Sequence, residues 1–371
     1  MMDGNPKVDL SQPLKLSANL FTPLMRTPWG GKDIAKRYKQ SFVEHPENTI
    51  IGESWEVSCD PSFPSLVLGT SLKLSELIAA EPEKMLSRAY VKAFGANFDI
   101  LVKLVNAAQP LSLQVHPSDD NPSLKPGECG KPESWLVLHA EPGSGLYLGF
   151  SKSITKTELQ TLLESQGDLK PYLQFVPVKE GDYFEISPGV IHAIGPGVTL
   201  LEPQRVRIGK AGKTYRFWDW SRRYNQDGSL NNVSGQEREL HVTEGLKIID
   251  PEKQVGAAYV ASLRARAEVL ELSPKVKHSF YPANANYQVH RLQMQAGSQV
   301  QLSAKSGFLS FVCLGGSAVM GMNLAVSRGE PGFIPFDALP LLIDVDKNSQ
   351  NDFDITLIIP PSCDLKILAV S

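Results

Sequence analysis

Two polar side chains with metal-ligand chemistry stand in the segment PLSLQVHPSDD, residues 110–120. If this segment is a strand, Gln114 and His116 project from one face, because residues two apart share a side. An amide oxygen and an imidazole on one strand face supply half of a site for a divalent metal. Polar alternation on an exposed strand explains the pair equally well, so this segment alone does not establish a metal site.

A carboxylate stands at the start of an apolar run in GKPESW, residues 130–135. Glu133 directly precedes that run, and a buried carboxylate is costly unless a cation compensates its charge. Lys131 is one candidate for that cation, and a bound metal is the other. An ordinary turn at a strand end, with both charges in solvent, accounts for the segment about as well when it is judged by itself.

The segment GDYFEISPGVIHAI, residues 181–194, has the most specific pattern of the three. A glycine–acid turn and an apolar strand are followed by Pro188, Gly189 and then His192. This order matches the second sequence signature of cupins, in which the histidine comes off a tight turn into the mouth of a small β-barrel. Together with QVHP about seventy residues earlier and a glutamate between them, the match is too specific for chance.

Across most of its length the chain resembles type I mannose-6-phosphate isomerases. Seven motifs of that family recur in the same order: PWGG (28–31), IGESWEVS (51–58), PLSLQVHPSD (110–119), GKPESW (130–135), GLYLGF (145–150), PGVIHAIGPGVTLLEPQ (188–204) and TYRFWDWSR (214–222). Any one motif is a weak sign, but seven in sequence are highly specific. The resemblance implies an aldose–ketose isomerase that interconverts mannose 6-phosphate and fructose 6-phosphate through an enediol.

The same resemblance implies a metal site and a fold. The family ligands, usually around zinc, carry over to Gln114, His116, Glu133 and His192. We therefore expect one Zn²⁺, or another divalent metal, per chain. The expected fold is mainly β, a bicupin of two jelly-roll or β-barrel domains with helical insertions. Its C-terminal segment GEPGFIPFDALP (329–340) offers Phe-Asp-Ala where a histidine is expected, so we predict that the second domain is metal-free.

Basic residues are concentrated after the last expected ligand. Residues 205–223 contain seven, whereas 37 Lys and Arg in 371 residues predict about two in such a window. A solvated loop is one explanation; a phosphate site is the other, because a dianion favours fork-shaped donors and fixed positive charge. By the resemblance, Arg216 is the catalytic arginine, and Arg222 and Ser112 contact the phosphate. The seven are Arg205, Arg207, Lys210, Lys213, Arg216, Arg222 and Arg223.

Isomerisation moves a proton between C1 and C2 and needs both an electrophile and a base. We expect the metal to polarise the C1 and C2 oxygens and Arg216 to stabilise the enediolate. Lys131, next to the cation and Glu133, is our candidate proton shuttle. Glu202, which we also expect to bind substrate, and a water at the metal are the alternatives for the base.

The chain departs from its relatives near this site. Many relatives carry a serine–aspartate pair four or five residues before the catalytic arginine, where this chain has Ala211 and Gly212. A proton-transfer role for that aspartate therefore does not carry over.

The sequence around these residues is typical of an antiparallel β protein. Its 27 prolines and 29 glycines divide the chain into short apolar segments, and no GxGxxG or GxxxxGK[ST] motif supports a nucleotide-binding fold. Helices are predicted within 75–93, broken near Pro82, and after the capping box Thr155–Glu158, ending at Gly167. A short connecting helix is predicted within 241–250. The strand predictions are 98–105, 111–116, 134–140, 181–186 and 198–201.

These elements predict two domains. Residues 1–255 form a catalytic, metal-binding cupin domain with helical insertions at about 73–94 and 155–174. Residues 256–371 form a C-terminal cupin-like domain without metal, because their apolar segments alternate between glycine turns.

Composition excludes several classes of protein. The net charge of −3 excludes a globally basic nucleic-acid-binding protein, and no apolar run approaches the roughly 18 residues that cross a bilayer. The four cysteines lie far apart without a CxxC pair, so neither a disulfide framework nor a thiolate zinc site is expected. We expect a cytoplasmic protein, a monomer or weak homo-oligomer, that binds a small sugar phosphate and neither nucleic acid nor membrane.

Two other functions fit a bicupin. An iron-dependent cupin oxygenase would use two histidines and one carboxylate, but would gain nothing from a dense phosphate-binding loop. A non-catalytic sugar-binding bicupin would keep its metal for structure. The presence of Lys131 and Arg216 speaks against this second alternative, and the missing acid near residue 212 speaks mildly for it.

Overall fold

Four antiparallel sheets, paired into two β-sandwiches, make up most of the computed structural model, which describes residues 8–23 and 26–370. The expected class, mainly β with two jelly-roll-like halves and helical insertions, is confirmed. Among the described residues, none of the helices has the length and apolar character that a bilayer crossing requires.

The first sandwich consists of sheets I and II. Sheet I contains, in spatial order, Arg264–Ala265, Tyr183–Ile186, Glu133–Ala140, Val198–Arg205, Ile100–Ala107, Glu53–Val57 and Asn19–Phe21. Sheet II contains Tyr215–Trp218, Leu113–Val115, His192–Ile194, Gly145–Phe150 and Leu173–Pro177. Buried residues such as Trp135, Phe184 and Leu148 fill the space between the sheets.

The second sandwich consists of sheets III and IV. Sheet III contains Leu14–Lys15, Pro331–Ile334, Leu309–Gly315, Phe353–Ile359, Gln288–Met294, Val276–Phe280 and Glu268–Ser273. Sheet IV contains Leu324–Ser327, Ser317–Met320, Leu341–Asp344, Gln299–Ser303 and Lys366–Val370. The core of the second sandwich is aliphatic and aromatic, with Leu292, Phe311 and Ile355 among the fully buried residues.

The two sandwiches pack against each other through a third apolar core. Phe308 and Phe333 of the second sandwich stack there, close to Phe98. The chain also exchanges strands between the halves. Leu14–Lys15 pairs with Pro331–Ile334 in sheet III, and Arg264–Ala265 pairs with Tyr183–Ile186 in sheet I. The division at residues 255 and 256 therefore stays a prediction, because short strands cross it in both directions.

In the described part of the chain, six α-helices are inserted between the strands: Leu74–Ala80, Pro82–Leu86, Arg88–Phe94, Lys156–Glu164, Val242–Ile248 and Gly256–Leu263. The break at Pro82 is confirmed, and a second break occurs at Ser87, whose φ is 75°. The capping box is also confirmed, because Thr155 Oγ1 accepts from the Glu158 amide and Glu158 Oε2 from the Thr155 amide. Gln166, with φ of 54°, adopts the left-handed conformation after this helix instead of Gly167.

The five predicted strands exist with shifted ends, and one shift matters for the site. The last of them continues from residue 198 to Arg205, because it pairs on one side with Ile100–Ala107 and on the other with Glu133–Ala140. A parallel two-stranded ribbon, Glu128–Cys129 with Ala211–Gly212, lies beside its end.

Candidate active site

Successive side chains along each strand of sheet I point to opposite faces, so every second side chain faces the interior of the first sandwich. In Glu133–Ala140, Leu136 and Leu138 face the core shared with the second sandwich, whereas Trp135 and Val137 face sheet II. Glu133 has the same parity as Trp135, so its carboxylate enters the sandwich. The same argument directs the side chains of Lys103, Glu202 and Gln204 inward, and these three line the cavity described below.

Three of the four expected metal ligands meet in the interior of the first sandwich. Potential ligand atoms of His116, Glu133 and His192 all lie within 4.8 Å of one another. His116 Nε2 is 3.3 Å from Glu133 Oε2, and His192 Nε2 is 3.5 Å from Glu133 Oε1. All three side chains are buried. Two imidazoles and one carboxylate at this spacing form a suitable donor set for a divalent metal.

The hydrogen bonds of the two histidines fix which nitrogen is free. His116 Nδ1 lies 3.1 Å from the Lys213 carbonyl oxygen, and His192 Nδ1 lies 2.9 Å from the Val190 carbonyl oxygen. A carbonyl only accepts, so each Nδ1 carries the proton and each Nε2 keeps its lone pair, which is the arrangement of metal-binding histidines.

Two buried atoms of this group lack a hydrogen-bond partner within residues 8–23 and 26–370. They are His116 Nε2 and Glu133 Oε1, and both belong to the expected ligand set. Buried polar atoms without partners are costly, and a cation between them would satisfy both. The residues present therefore fit a divalent metal.

Protonation in this group also suits a cation. Burial, together with the charge of Lys131, lowers the pKa of His116 to about 3, and burial lowers the pKa of His192. Burial alone would raise the pKa of Glu133, but Lys131 and His116 outweigh it and hold that pKa well below its ordinary value. Neutral imidazoles and an ionised carboxylate are the forms that bind metals.

Gln114, the fourth expected ligand, adjoins the group. Its residue pairs with His192 across sheet II, and its Nε2 lies 3.3 Å from His192 Nε2. A metal would be bound through the amide oxygen, which requires the opposite orientation of the amide. The Ser112 hydroxyl lies 3.5 Å from Gln114 Oε1 and accepts a hydrogen bond from Arg216 Nε at 3.2 Å.

A cavity of about 350 Å³ opens beside these ligands and collects most of the remaining predicted residues. Lys131 lies at its edge, with Nζ 3.4 Å from Glu133 Oε2. Glu202 is buried and accepts hydrogen bonds from Trp135 Nε1 and Gln204 Nε2. Burial and the negative charge of Glu133 raise the pKa of Glu202 to about 7. This carboxyl can therefore hold or release a proton near neutral pH.

Arg216 also lines the cavity. Its Nη1 donates to the Glu239 carbonyl oxygen at 2.7 Å, and its backbone amide donates to His241 Nδ1 at 3.2 Å. Among the described residues, no carboxylate lies within ion-pair distance of its guanidinium. Burial and the charge of Arg238 lower the pKa of Arg216 to about 10. His241 occupies the N-cap position of Val242–Ile248, but its side chain makes no capping hydrogen bond and holds the backbone of Arg216.

Arg222 is not brought into this cavity. Its guanidinium donates to Asp219, to the Pro110 carbonyl oxygen and to Gln109, and it lines a separate cavity of about 150 Å³. Other members of the basic segment are neutralised by acids distant in sequence. Arg205 and Arg207 pair with Asp119, and Lys213, Arg223 and Arg207 pair with Glu128, Glu237 and Asp99 respectively. The window is therefore mostly an ion-pair network.

Several cavity residues were missed by sequence reasoning. Lys103 lies between Glu53 and Glu202, at 3.7 and 3.5 Å from their carboxylates. Burying a lysine inside the apolar strand FDILVKLV costs free energy unless acidic partners compensate its charge. This lysine was therefore the feature of the sequence that could have predicted such partners. Gln204 bridges Glu133 and Glu202 but gives no signal in sequence. Other polar residues of the cavity that the sequence did not indicate include Glu53, Arg26 and Arg238.

Comparisons with known proteins find similarity to one enzyme family. The family model for the type I phosphomannose isomerase catalytic domain matches residues 19–162. A mannose-6-phosphate isomerase of Streptococcus mutans is 27% identical over 332 residues, which is 88% of this chain and 93% of that protein. Mannose-6-phosphate isomerase ManA of Bacillus subtilis is 31% identical over 235 residues, 62% of this chain and 67% of ManA.

Solved structures share the fold. The crystal structure of the mannose 6-phosphate isomerase from Bacillus subtilis has a TM-score of 0.74 at 21% identity, covering 94% of this chain and 99% of that one. A mannosephosphate isomerase structure from Archaeoglobus fulgidus has a TM-score of 0.64 at 23% identity, covering 95% and 99%.

Proposed function

The chain belongs to the type I phosphomannose isomerases, a family of aldose–ketose isomerases, and we propose that it interconverts mannose 6-phosphate and fructose 6-phosphate in a metal-dependent reaction through an enediol. The observation that carries the proposal is the group of His116, Glu133 and His192. Its two buried, unpartnered ligand atoms adjoin a cavity lined by both acids and cations.

The metal would be held by His116, Glu133 and His192, with the Gln114 amide as fourth ligand. When bound, a divalent ion supplies electrophilic polarisation of the substrate oxygens. We propose Zn²⁺, because two imidazoles, a carboxylate and an amide suit it. The Lys213 and Val190 carbonyl groups orient the two imidazoles before any ion binds. The chain thus holds both imidazoles pre-organised, which lowers the cost of binding.

Residues around the metal ligands are proposed to take two roles, stabilisation of the enediolate and transfer of the proton. Arg216 is fixed at Nε by Ser112 and at Nη1 by the Glu239 carbonyl, so its charge is aimed into the cavity without a neutralising carboxylate. A fixed cation of this kind stabilises the enediolate oxygen. Lys131 is the proposed donor and acceptor of the C1–C2 proton. Glu202 is the alternative, supported by its pKa of about 7.

A coupled assay tests this function. Purified protein loaded with Zn²⁺ is expected to convert mannose 6-phosphate to fructose 6-phosphate, to lose this activity with a chelator, and to regain it with added Zn²⁺. Elemental analysis is expected to find one zinc per chain. Absence of conversion by the metal-loaded protein would reject the isomerase, and one iron per chain without isomerase activity would favour the cupin oxygenase.

A matched pair of variants links the metal to the site. His116→Ala removes a proposed ligand, whereas His139→Ala removes a histidine on the same strand as Glu133 that instead contacts Arg37. We expect zinc content and turnover to fall in the first and to be unchanged in the second.

We also propose a cytoplasmic location. All four cysteines are unpaired in the structure, three of them buried, as in proteins of reducing compartments.

A further inference from the structure

The arginine that the resemblance assigns to phosphate binding has four of its five N–H donors engaged by the protein. Arg222 donates from Nε to the Asp219 carbonyl oxygen, from Nη1 to Gln109 and from Nη2 to the Pro110 carbonyl oxygen and the Asp219 carboxylate. Every nitrogen of its guanidinium is thus engaged by protein acceptors. The side chain is buried and lies outside the substrate cavity.

A second arginine, Arg238, stands sixteen positions after Arg222 in the sequence and does reach the substrate cavity. Arg238 lines the substrate cavity together with Ser112 and Arg216, and it also lines the smaller cavity that contains Arg222. Its Nε and Nη2 bind Asp219 in a bidentate pair at 2.7 and 2.6 Å. Its Nη1 has no hydrogen-bond partner among the described residues, so this donor is available.

The charges at this end of the cavity are not balanced. Asp219 is shared by Arg222 and Arg238, at 2.8 and 2.6 Å, which leaves this buried trio with a net charge of one positive unit. Arg216 adds a second unit. Glu239 also acts on the charge of Arg216, but its side chain is largely exposed to solvent. Buried like charges repel each other unless an anion lies between them.

We propose that Arg238, together with Ser112, binds the phosphate group of the substrate. The bidentate pair with Asp219 holds the guanidinium in one orientation, which leaves Nη1 directed away from the pair. A phosphate dianion matches the two uncompensated positive charges, one from the trio and one from Arg216, and the Ser112 hydroxyl supplies a further donor. This inference rests on the proposed function, because it assigns a role within the same site.

The test compares Arg238→Gln with Arg222→Gln in the zinc-loaded protein. Both substitutions remove one positive charge from the same trio, but only the first removes a side chain that lines the substrate cavity. Loss of a charge-assisted hydrogen bond predicts a roughly ten- to hundredfold rise in KM for mannose 6-phosphate in Arg238→Gln, with kcat within about threefold. The inhibition constant of inorganic phosphate is expected to rise equally. In Arg222→Gln both constants are expected to change less than about threefold.

A third variant and a direct binding measurement keep the test decisive. Arg238→Lys retains the charge but not the bidentate geometry, so its KM is expected between those of wild type and Arg238→Gln. Thermal melting of each variant, with and without inorganic phosphate, shows whether it is folded and whether phosphate stabilises it. Wild type and Arg222→Gln are expected to gain stability with phosphate, and Arg238→Gln is not.

The possible failures are distinguishable. An equal rise in KM and in the inhibition constant for both glutamine variants would overturn the assignment, because the trio would then act only through structure. An unchanged KM in Arg238→Gln would place the phosphate elsewhere. If wild type fails to convert mannose 6-phosphate, the proposed function fails. Phosphate-dependent melting of wild type and Arg238→Gln would still decide whether Arg238 binds an anion.

Discussion

Two glutamates in one buried network show how position determines chemistry at the scale of residues. Burial acts on both, but Lys131 and His116 keep the pKa of Glu133 well below its ordinary value. Burial and the charge of Glu133 instead raise the pKa of Glu202 to about 7. Gln204 donates to both carboxylates, at 2.7 and 2.6 Å, and couples them. The first carboxylate is suited to bind a cation, and the second to carry a proton.

Lys131 and Glu202 compete for the proton-transfer role, and a pair of substitutions separates them. If Lys131 shuttles the proton, Lys131→Met lowers kcat by about 10²- to 10⁴-fold, the typical contribution of general acid–base catalysis. Zinc content is expected to stay at one per chain, measured by elemental analysis. Glu202→Gln is then expected to act mainly on KM. Near-normal turnover in Lys131→Met, with loss of turnover in Glu202→Gln, would transfer the role to Glu202.

The sequence could assign roles to residues at motif positions, but it could not identify the residues that contact them. The three buried ligands were predicted because their motifs recur in order and the resemblance assigns a ligand to each. Arg238 and Lys103 enter the cavity from segments without a motif, and only strand parity and loop packing bring them there. Arg222 illustrates the opposite case, since its motif position does not reveal that Asp219 and Pro110 engage its donors.

At the scale of elements, the parallel ribbon of Glu128–Cys129 with Ala211–Gly212 positions Lys131. A Cβ atom added at Gly212 would lie 2.9 Å from Lys131 Cδ and 3.2 Å from Val206 Cγ2. A residue with a side chain, such as the aspartate of many relatives, therefore requires Lys131 to move. The sequence shows that glycine replaces the aspartate, but only the structure shows that this glycine leaves space for the Lys131 side chain.

Gly212→Ala is expected to displace Lys131 and to lower kcat by about tenfold or more, because small displacements of catalytic groups are costly. Ala211→Ser is the matched control, since residue 211 is exposed and already carries a Cβ. Its kcat is expected to equal that of wild type. Steady-state kinetics with mannose 6-phosphate measures both. Equal kcat for Gly212→Ala and wild type would show that Lys131 tolerates the shift or takes no part in catalysis.

Local signals predicted the starts of elements better than their continuations. The capping box fixes where Lys156–Glu164 begins, because its two hydrogen bonds involve residues three apart. At the second break, Ser87 caps Arg88–Phe94 by accepting from the Tyr90 amide, but its positive φ is rare for serine. Its hydroxyl accepts from the amide of Gly307 in the second sandwich, so a tertiary contact maintains the break.

At the scale of the whole molecule, a buried ion pair lies between the two sandwiches. Lys39 Nζ is 2.7 Å from Glu56 Oε2, both side chains are fully buried, and Lys39 also donates to the Gly329 carbonyl oxygen of the second sandwich. Burial raises the pKa of Glu56 even with Lys39 beside it. Composition could predict two β units, but not a junction in which one lysine binds both.

Lys39→Met is expected to lower the free energy of unfolding by about 3 to 5 kcal/mol, because Glu56 would lose its buried partner. Lys36→Met is the control, since Lys36 pairs with Glu47 at the surface and such pairs contribute at most about 1 kcal/mol. Denaturant titration measures both. A loss below about 1 kcal/mol in Lys39→Met would contradict a stabilising role for this pair at the junction.

The stacked pair of His278 and His290 in the second sandwich should make the whole molecule sensitive to acid. His278 Nε2 lies 2.9 Å from His290 Nδ1, and burial, together with the charge of His278, lowers the pKa of His290 to about 3. Burial also lowers the pKa of His278. Between pH 6.5 and 3 the unfolded chain therefore binds protons that the native pair does not, so the free energy of unfolding falls as pH falls.

For His290 alone, this loss amounts to about 2 kcal/mol at pH 5, since each unit below the ordinary pKa of about 6.5 corresponds to about 1.4 kcal/mol. Denaturant titrations at pH 7.5 and 5.0 compare wild type with the double variant His278→Gln/His290→Gln, which cannot titrate at these positions. Buried His116 and His192 are present in both proteins, so the difference isolates the second pair. We expect wild type to lose more stability than the variant over this interval. Equal losses would mean that the pair gains protons in the native state as readily as in the unfolded chain, which its burial should prevent.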